Sequence, residues 1–188
     1  MNAQTNLPSL QVIAHHEAGH AVAGMVLGVE FTAVRIVRGE DGKIGVPLKT
    51  NPWIAPRPAF KPPDEFTDEE WAQLSQSDEK WEAWKKKDND NYAIFCLAGK
   101  AAQLEYAGVA NDEDAKADYS FIAFRLPHCQ LRIRELEQAA RELVRSHWPA
   151  VQAIAEELLK RSELTPIEVE DIFKNAMLTI QVVKAREG

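Results

Sequence analysis

The feature that most constrains this chain is a short stretch near its start, Ala14-His15-His16-Glu17-Ala18-Gly19-His20-Ala21-Val22, which holds three of the protein's five histidines. His16, Glu17 and His20 form an H-E-x-x-H pattern. Leu10, Ile13, Ala14, Ala18, Ala21, Val22, Met25 and Val26 place apolar or small residues all round a helical projection of the segment, which predicts a helix buried on most sides. Residues i and i+4 project from one face of such a helix, so the two imidazoles can converge on one cation. Burying two imidazoles and a carboxylate among these neighbours is costly unless something compensates, and a metal ion does so. Zinc suits imidazole ligands, and catalytic zinc commonly takes three protein ligands while keeping a fourth position for water. Glu17, one residue round the helix, is then the expected general base, accepting the proton of the activated water. His15 is expected behind the ligands or at the surface rather than on the metal.

Length and composition bound the rest. A chain of 188 residues, 45% apolar and 27% charged, fits a single domain over residues 1–188 with a sizeable core. The net charge of −7 argues against a nucleic-acid-binding surface. Cys96 and Cys129 stand in unrelated contexts without a C-x-x-C, so neither a disulfide framework nor a cysteine metal site is indicated, and both are expected to be buried thiols. The apolar run from Ala18 to Val29 is short, carries His20 and lacks a preceding basic region. It reads as neither a signal peptide nor a membrane span, and a cytoplasmic protein without membrane contact is expected. No G-x-x-x-x-G-K-[ST] occurs, so the chain is expected to bring no ATPase of its own.

Along the chain, Ser9 is placed to cap a helix running to about Leu27, with Gly28 ending it. Phe31 to Val37 is rich in β-branched residues, and Gly39-Glu40-Asp41-Gly42 supplies a turn before Lys43-Ile44-Gly45-Val46-Pro47-Leu48, which predicts a hairpin or neighbouring strands. Pro47 puts the second strand at an edge, where an extended peptide could add by β-pairing. Five prolines between Asn51 and Pro63 argue for a mobile loop or insertion. Thr67-Asp68-Glu69-Glu70 is a capping box for a helix bearing Trp71, Leu74, Trp81 and Trp84, expected to cover the core and to break at Asp88-Asn89-Asp90.

A second long helix is expected from about Tyr92 to Tyr106, with Gly108 ending it. Asn111-Asp112-Glu113-Asp114 reads as a solvated loop. Asp118 leads into a short helix that stops before Pro127. The last third carries two apolar stripes, Leu136, Ala140, Leu143 and Val144, then Val151, Ile154, Ala155, Leu158 and Leu159, separated at Pro149. Thr165-Pro166-Ile167-Glu168 starts a helix that ends near Phe173 or beyond. The tail from Leu178 to Val183 is apolar and fits either helix or strand.

Two histidines leave the metal one protein ligand short. The extended H-E-x-x-H-x-x-G-x-x-H is excluded because positions 23 and 26 are Ala23 and Val26. A carboxylate or histidine farther along the chain must complete the site.

At this point the sequence resembles a family. The His16-Glu17-Ala18-Gly19-His20-Ala21-Val22 segment looks like the H-E-A-G-H-A-V of the FtsH-type peptidase domain, and Leu97-Ala98-Gly99-Lys100-Ala101-Ala102 resembles its L-[AG]-G-R-A-A helix. Leu143 to Leu164 and Thr165-Pro166-Ile167-Glu168 are similar to its closing helices. The likeness implies a mainly α, helical zincin-like peptidase domain with a small β-hairpin or edge strand after the first helix, and it leaves a Pro/Trp-rich insertion at about 50–88. In that family an aspartate at the start of the helix after L-[AG]-G-R-A-A is the third zinc ligand, and the corresponding residue is Asp118, 19 positions after Gly99. Glu105 stands in reserve. The family's arginine is replaced by Lys100 and its acidic pair by Gln103-Leu104. Its membrane anchor and ATPase have no counterpart in this sequence.

The resulting expectation is a free-standing zinc endopeptidase acting on unfolded or extended polypeptide, or on a loop of one dedicated protein, through His16, Glu17, His20 and Asp118. An ATPase or adaptor acting in trans is the other partner this implies. A regulatory protease of the ImmA/IrrE sort, cutting a repressor, shares H-E-x-G-H, but Ala18 and the closing helices fit the FtsH-type pattern better. A non-catalytic zinc-containing binding module is the third reading, and an intact Glu17 weighs against it.

Overall fold

Ser9 and Gly28 set the ends of the first helix, α1 (Leu10–Leu27). The Ser9 hydroxyl accepts the Val12 N–H at 3.3 Å, and Gly28 takes the left-handed conformation (φ 71°), where its N–H closes on the Gly24 carbonyl. The computed structural model describes residues 9–37, 78–110 and 115–187. Among these, α1 is followed by β1 (Val34–Arg35), α2 (Asp78–Ala107), α3 (Lys116–Arg125), a 3-10 helix (Pro127–Arg132), α4 (Ile133–Ser146), α5 (Trp148–Arg161), β2 (Glu163–Leu164) and α6 (Pro166–Glu187). Among the described residues the protein is mainly helical with a small two-stranded antiparallel sheet, as expected.

The strand expected after α1 is present, and its partner comes from the far end of the chain. Val34 pairs with Leu164 and Arg35 with Glu163. The Ile36 N–H extends the ladder to the Ser162 carbonyl at 3.1 Å, and the Arg35 guanidinium meets Glu163 at 3.0 Å. Ser162 ends α5 in the left-handed conformation (φ 66°), which turns the chain into β2. The second strand expected at Lys43–Leu48, the proline-rich stretch, the Thr67 capping box with Trp71 and Leu74, and the acidic loop Asn111–Asp114 all lie outside the described residues, as do the side chains of Trp81 and Trp84.

The expected break at Asp88-Asn89-Asp90 does not occur. One helix, α2, runs from Asp78 to Ala107 through all three residues. Asp and Asn are poor helix formers, yet each costs well under about 1 kcal/mol relative to alanine, and tertiary contacts outweigh this. Asp90 accepts from Arg132 at 2.9 Å, and Tyr92, Ala93 and Phe95 bury their side chains just beyond.

Burial of α1 is complete over its middle: every residue from Ala14 to Gly24 is buried. The helix is embedded chiefly against α2 and α5. Small residues permit this approach. A Cβ on Gly19 would lie 2.5 Å from the Ala98 carbonyl oxygen and 2.7 Å from the Ala102 Cβ, so α1 and α2 cross with backbone nearly touching backbone. Helix α4 lays Leu136, Ala140 and Val144 on the core, with Leu143 only partly covered. Helix α5 buries Val151, Ile154, Ala155 and Leu158, with Leu159 at the margin. The Thr165 box caps α6 as its pattern predicts: the Thr165 N–H donates to the Glu168 carboxylate at 2.8 Å, and the Glu168 N–H donates to the Thr165 hydroxyl at 3.4 Å. That helix continues to Glu187, so the apolar tail is helical. Both cysteines are buried free thiols, and no described helix is long and apolar enough to cross a membrane.

Candidate metal centre

Helical spacing places His16 and His20 one turn apart on the face of α1 that meets α2. Their Nε2 atoms stand 3.0 Å apart. Asp118, in the first turn of α3, brings its Oδ2 to 3.5 Å from each of them. These three residues form a group able to hold a metal ion. A tetrahedral cation with bonds of about 2.0–2.2 Å sets neighbouring ligand atoms about 3.3–3.5 Å apart, close to the spacing found here.

The orientation of His20 is settled by α2. Its Nδ1–H donates to the Phe95 carbonyl at 2.8 Å, which leaves the Nε2 lone pair free to face the site. His16 Nδ1 is buried without a hydrogen-bond partner among the described residues. Two imidazole nitrogens facing each other at 3.0 Å repel through their lone pairs unless a proton or a cation lies between them. The fit of a cation is also written in Gly99: a Cβ there would come within 2.5 Å of His20 Nε2 and 2.6 Å of His16 Nε2. Only a glycine leaves the imidazole tips in place.

The site is almost closed to solvent. His16, Glu17 and His20 are buried, and the Asp118 side chain is 21% exposed. In the metal-free protein burial pulls the His20 imidazole down, but the Asp118 carboxylate, aided by Glu17 and the Phe95 carbonyl, overrides it and pushes the group up to about 9. Burial likewise opposes ionisation of Asp118, yet the charge of His20 and hydrogen bonds from both imidazoles hold its carboxyl below the usual carboxylate range. Glu17 is pushed up, chiefly by burial, with the neighbouring histidines pulling the other way.

The neighbouring residues fall outside the ligand group. His15 is buried, donates from Nδ1 to the Gln11 carbonyl at 2.8 Å, and stacks on Tyr106 with ring centroids 3.7 Å apart. Trp148 flanks the same ring at 5.7 Å. Glu105, the reserve candidate, pairs instead with Arg145 at 2.8 Å. Gln103 is 1% exposed, and a neutral amide there avoids the cost of burying a carboxylate.

Two contributors escaped the reading of the sequence. The Phe95 carbonyl acts through backbone and leaves no side-chain signal. Gly99 does leave one, because a glycine inside a helix lowers stability and marks a close approach. No protein-family model matches the chain, and no curated protein matches it in sequence.

Proposed function

We propose that this chain is a zinc-dependent endopeptidase that hydrolyses peptide bonds of unfolded or extended polypeptides. The observation that carries the reading is the convergence of His16 Nε2, His20 Nε2 and Asp118 Oδ2 within 3.0–3.5 Å of one another, beside the buried carboxyl of Glu17. Two imidazoles and one carboxylate are a donor set that catalytic zinc accepts. When bound, zinc would supply a Lewis acid that makes water nucleophilic at neutral pH and polarises the scissile carbonyl.

The chain's own residues do the rest. Glu17, buried and beside the two imidazoles in sequence, accepts the proton of the attacking water and returns it to the departing amine nitrogen. His20 is held to one tautomer by Phe95, so its Nε2 serves as a donor atom without prior rearrangement. The FtsH-type likeness supports the same chemistry. We assign these residues the hydrolytic step, with unfolding of structured substrates left to an ATPase or adaptor. A cytoplasmic location belongs to the proposal and is supported by two free thiols.

Purified protein reconstituted with zinc should cleave an unstructured substrate such as casein. Glu17→Gln should keep its zinc while cleavage falls about 10²–10⁴-fold, the contribution typical of a positioned base. Undiminished cleavage by that variant would exclude the mechanism.

A further inference from the structure

Residue 100 follows the glycine that faces the imidazole tips, and residue 119 follows the third member of the metal group. Those two neighbours are joined. Lys100 Nζ donates to the Tyr119 hydroxyl at 3.1 Å and lies 4.8 Å from the centre of the same ring. The Tyr119 hydroxyl in turn donates to the Glu137 carboxylate on α4. One phenol therefore ties α2, α3 and α4 together, one residue from Asp118 on α3 and one from Gly99 on α2.

Helix α3 needs such a tie. It has ten residues, and its N-cap, Ala115, makes no side-chain hydrogen bond. Isolated helices shorter than about 12–15 residues are marginal in water, so tertiary contacts must hold this one. Leu97, Ala101 and Leu104 wall the cleft in which the three polar groups meet, and partial exclusion of water strengthens hydrogen bonds there.

We propose that Lys100, Tyr119 and Glu137 are positioning residues, a hydrogen-bonded strut that sets the Asp118 carboxylate against the two imidazoles. The inference rests on the metal reading above and acts through Asp118 alone. None of the three touches the ligand atoms; they fix the helix that delivers one of them.

Zinc affinity, measured by competition with a chromophoric chelator on the full chain, tests this. Tyr119→Phe keeps the ring and removes the hydroxyl. It should weaken zinc binding about ten- to one-hundred-fold, the usual effect of losing a group that orients a ligand. Added to Asp118→Ala it should cause no further loss, because the carboxylate to be positioned is gone. Lys100→Met should weaken binding while Lys100→Arg, which keeps a donor, should restore it; this pair carries the test if Tyr119→Phe fails to fold. Wild-type affinity in both Tyr119→Phe and Lys100→Met, or an equal loss with and without Asp118, would overturn the strut. A wild-type protein that binds no zinc would instead remove the metal reading itself.

Discussion

Gly99 and His20 are matched across the α1–α2 crossing: a Cβ on residue 99 would sit 2.5 Å from the Nε2 of His20. The same atom would lie 2.6 Å from His16 Nε2. Two of the three members of the candidate metal group are therefore shaped by a residue that contributes no side chain to it.

Gly99→Ala should cost both the metal and the fold. The obstructing atoms are buried imidazole tips, and His20 is held by the Phe95 carbonyl, so metal-free stability should also fall, by about 1–3 kcal/mol as overpacking usually costs. Zinc affinity should fall by about tenfold or more, as displaced ligands require. Denaturant unfolding of the metal-free protein together with a chelator titration measures both, and unchanged affinity would contradict the match.

Gly19→Ala should cost the fold through contacts away from the metal group. Its new Cβ would meet the Ala98 carbonyl oxygen at 2.5 Å and the Ala102 Cβ at 2.7 Å, and backbone cannot swing away. The helices must separate, costing about 1–3 kcal/mol as overpacking usually does. A lowered urea midpoint with an unchanged slope is the expected result; an unaltered midpoint would mean the crossing has slack.

The pH dependence follows from the signs of the shifts. His20 is raised from 6.5 to about 9 in the metal-free fold, so its contribution is fully present below about 6.5 and is lost as pH rises through about 9. Glu17, raised from 4.5, adds a loss of the same sign as pH climbs above its unfolded value. Asp118, lowered from 3.8, contributes above that value and is lost as pH falls through its folded one. Metal-free stability should therefore decline from about pH 5 to about pH 9. Zinc requires an unprotonated imidazole, so the rise in Tm on adding zinc should grow over the same interval. Thermal melts with and without a chelator, taken at several pH values, check both trends; a zinc effect that shrinks with pH would contradict them.

Asp118→Ala and Glu105→Ala separate the two carboxylates that spacing left open. Loss of Asp118 should reduce bound zinc to a small fraction of one equivalent after dialysis, because two imidazoles remain. Loss of Glu105 removes only a contact with an exposed Arg145 and should leave metal content unchanged. Metal analysis of both purified variants decides the assignment, and retention of zinc by Asp118→Ala would move the third ligand elsewhere.

Local rules made much of the fold legible. Ser9, Gly28, Thr165 and Glu168 mark helix ends through bonds made within four residues, and each performs as its pattern suggests. The apolar stripes of α4 and α5 fall on the core for the same reason: a period of 3.6 residues needs no knowledge of the partner. Where local signals met a tertiary demand, the demand prevailed. Asp88-Asn89-Asp90 looks like a stop, yet the anchoring of Asp90 by Arg132 carries the helix through. The pairing of β1 with Glu163 and Leu164 likewise joins the two ends of the chain, which no local pattern announces.

The candidate site divides along the same line. Sequence alone determined that His16 and His20 share a face, because four residues along a helix return the chain to nearly the same direction. It also determined that Glu17 would lie beside them and that their surroundings would be apolar. Tertiary structure alone decided how near Asp118 comes, 3.5 Å from each imidazole, that the Phe95 carbonyl orients His20, and that Gly99 makes room for both rings. Asp118 is singled out by the family resemblance, not by any period in the chain; the distances themselves join residues far apart in sequence and exist only once apolar burial has pressed α2 and α3 against α1.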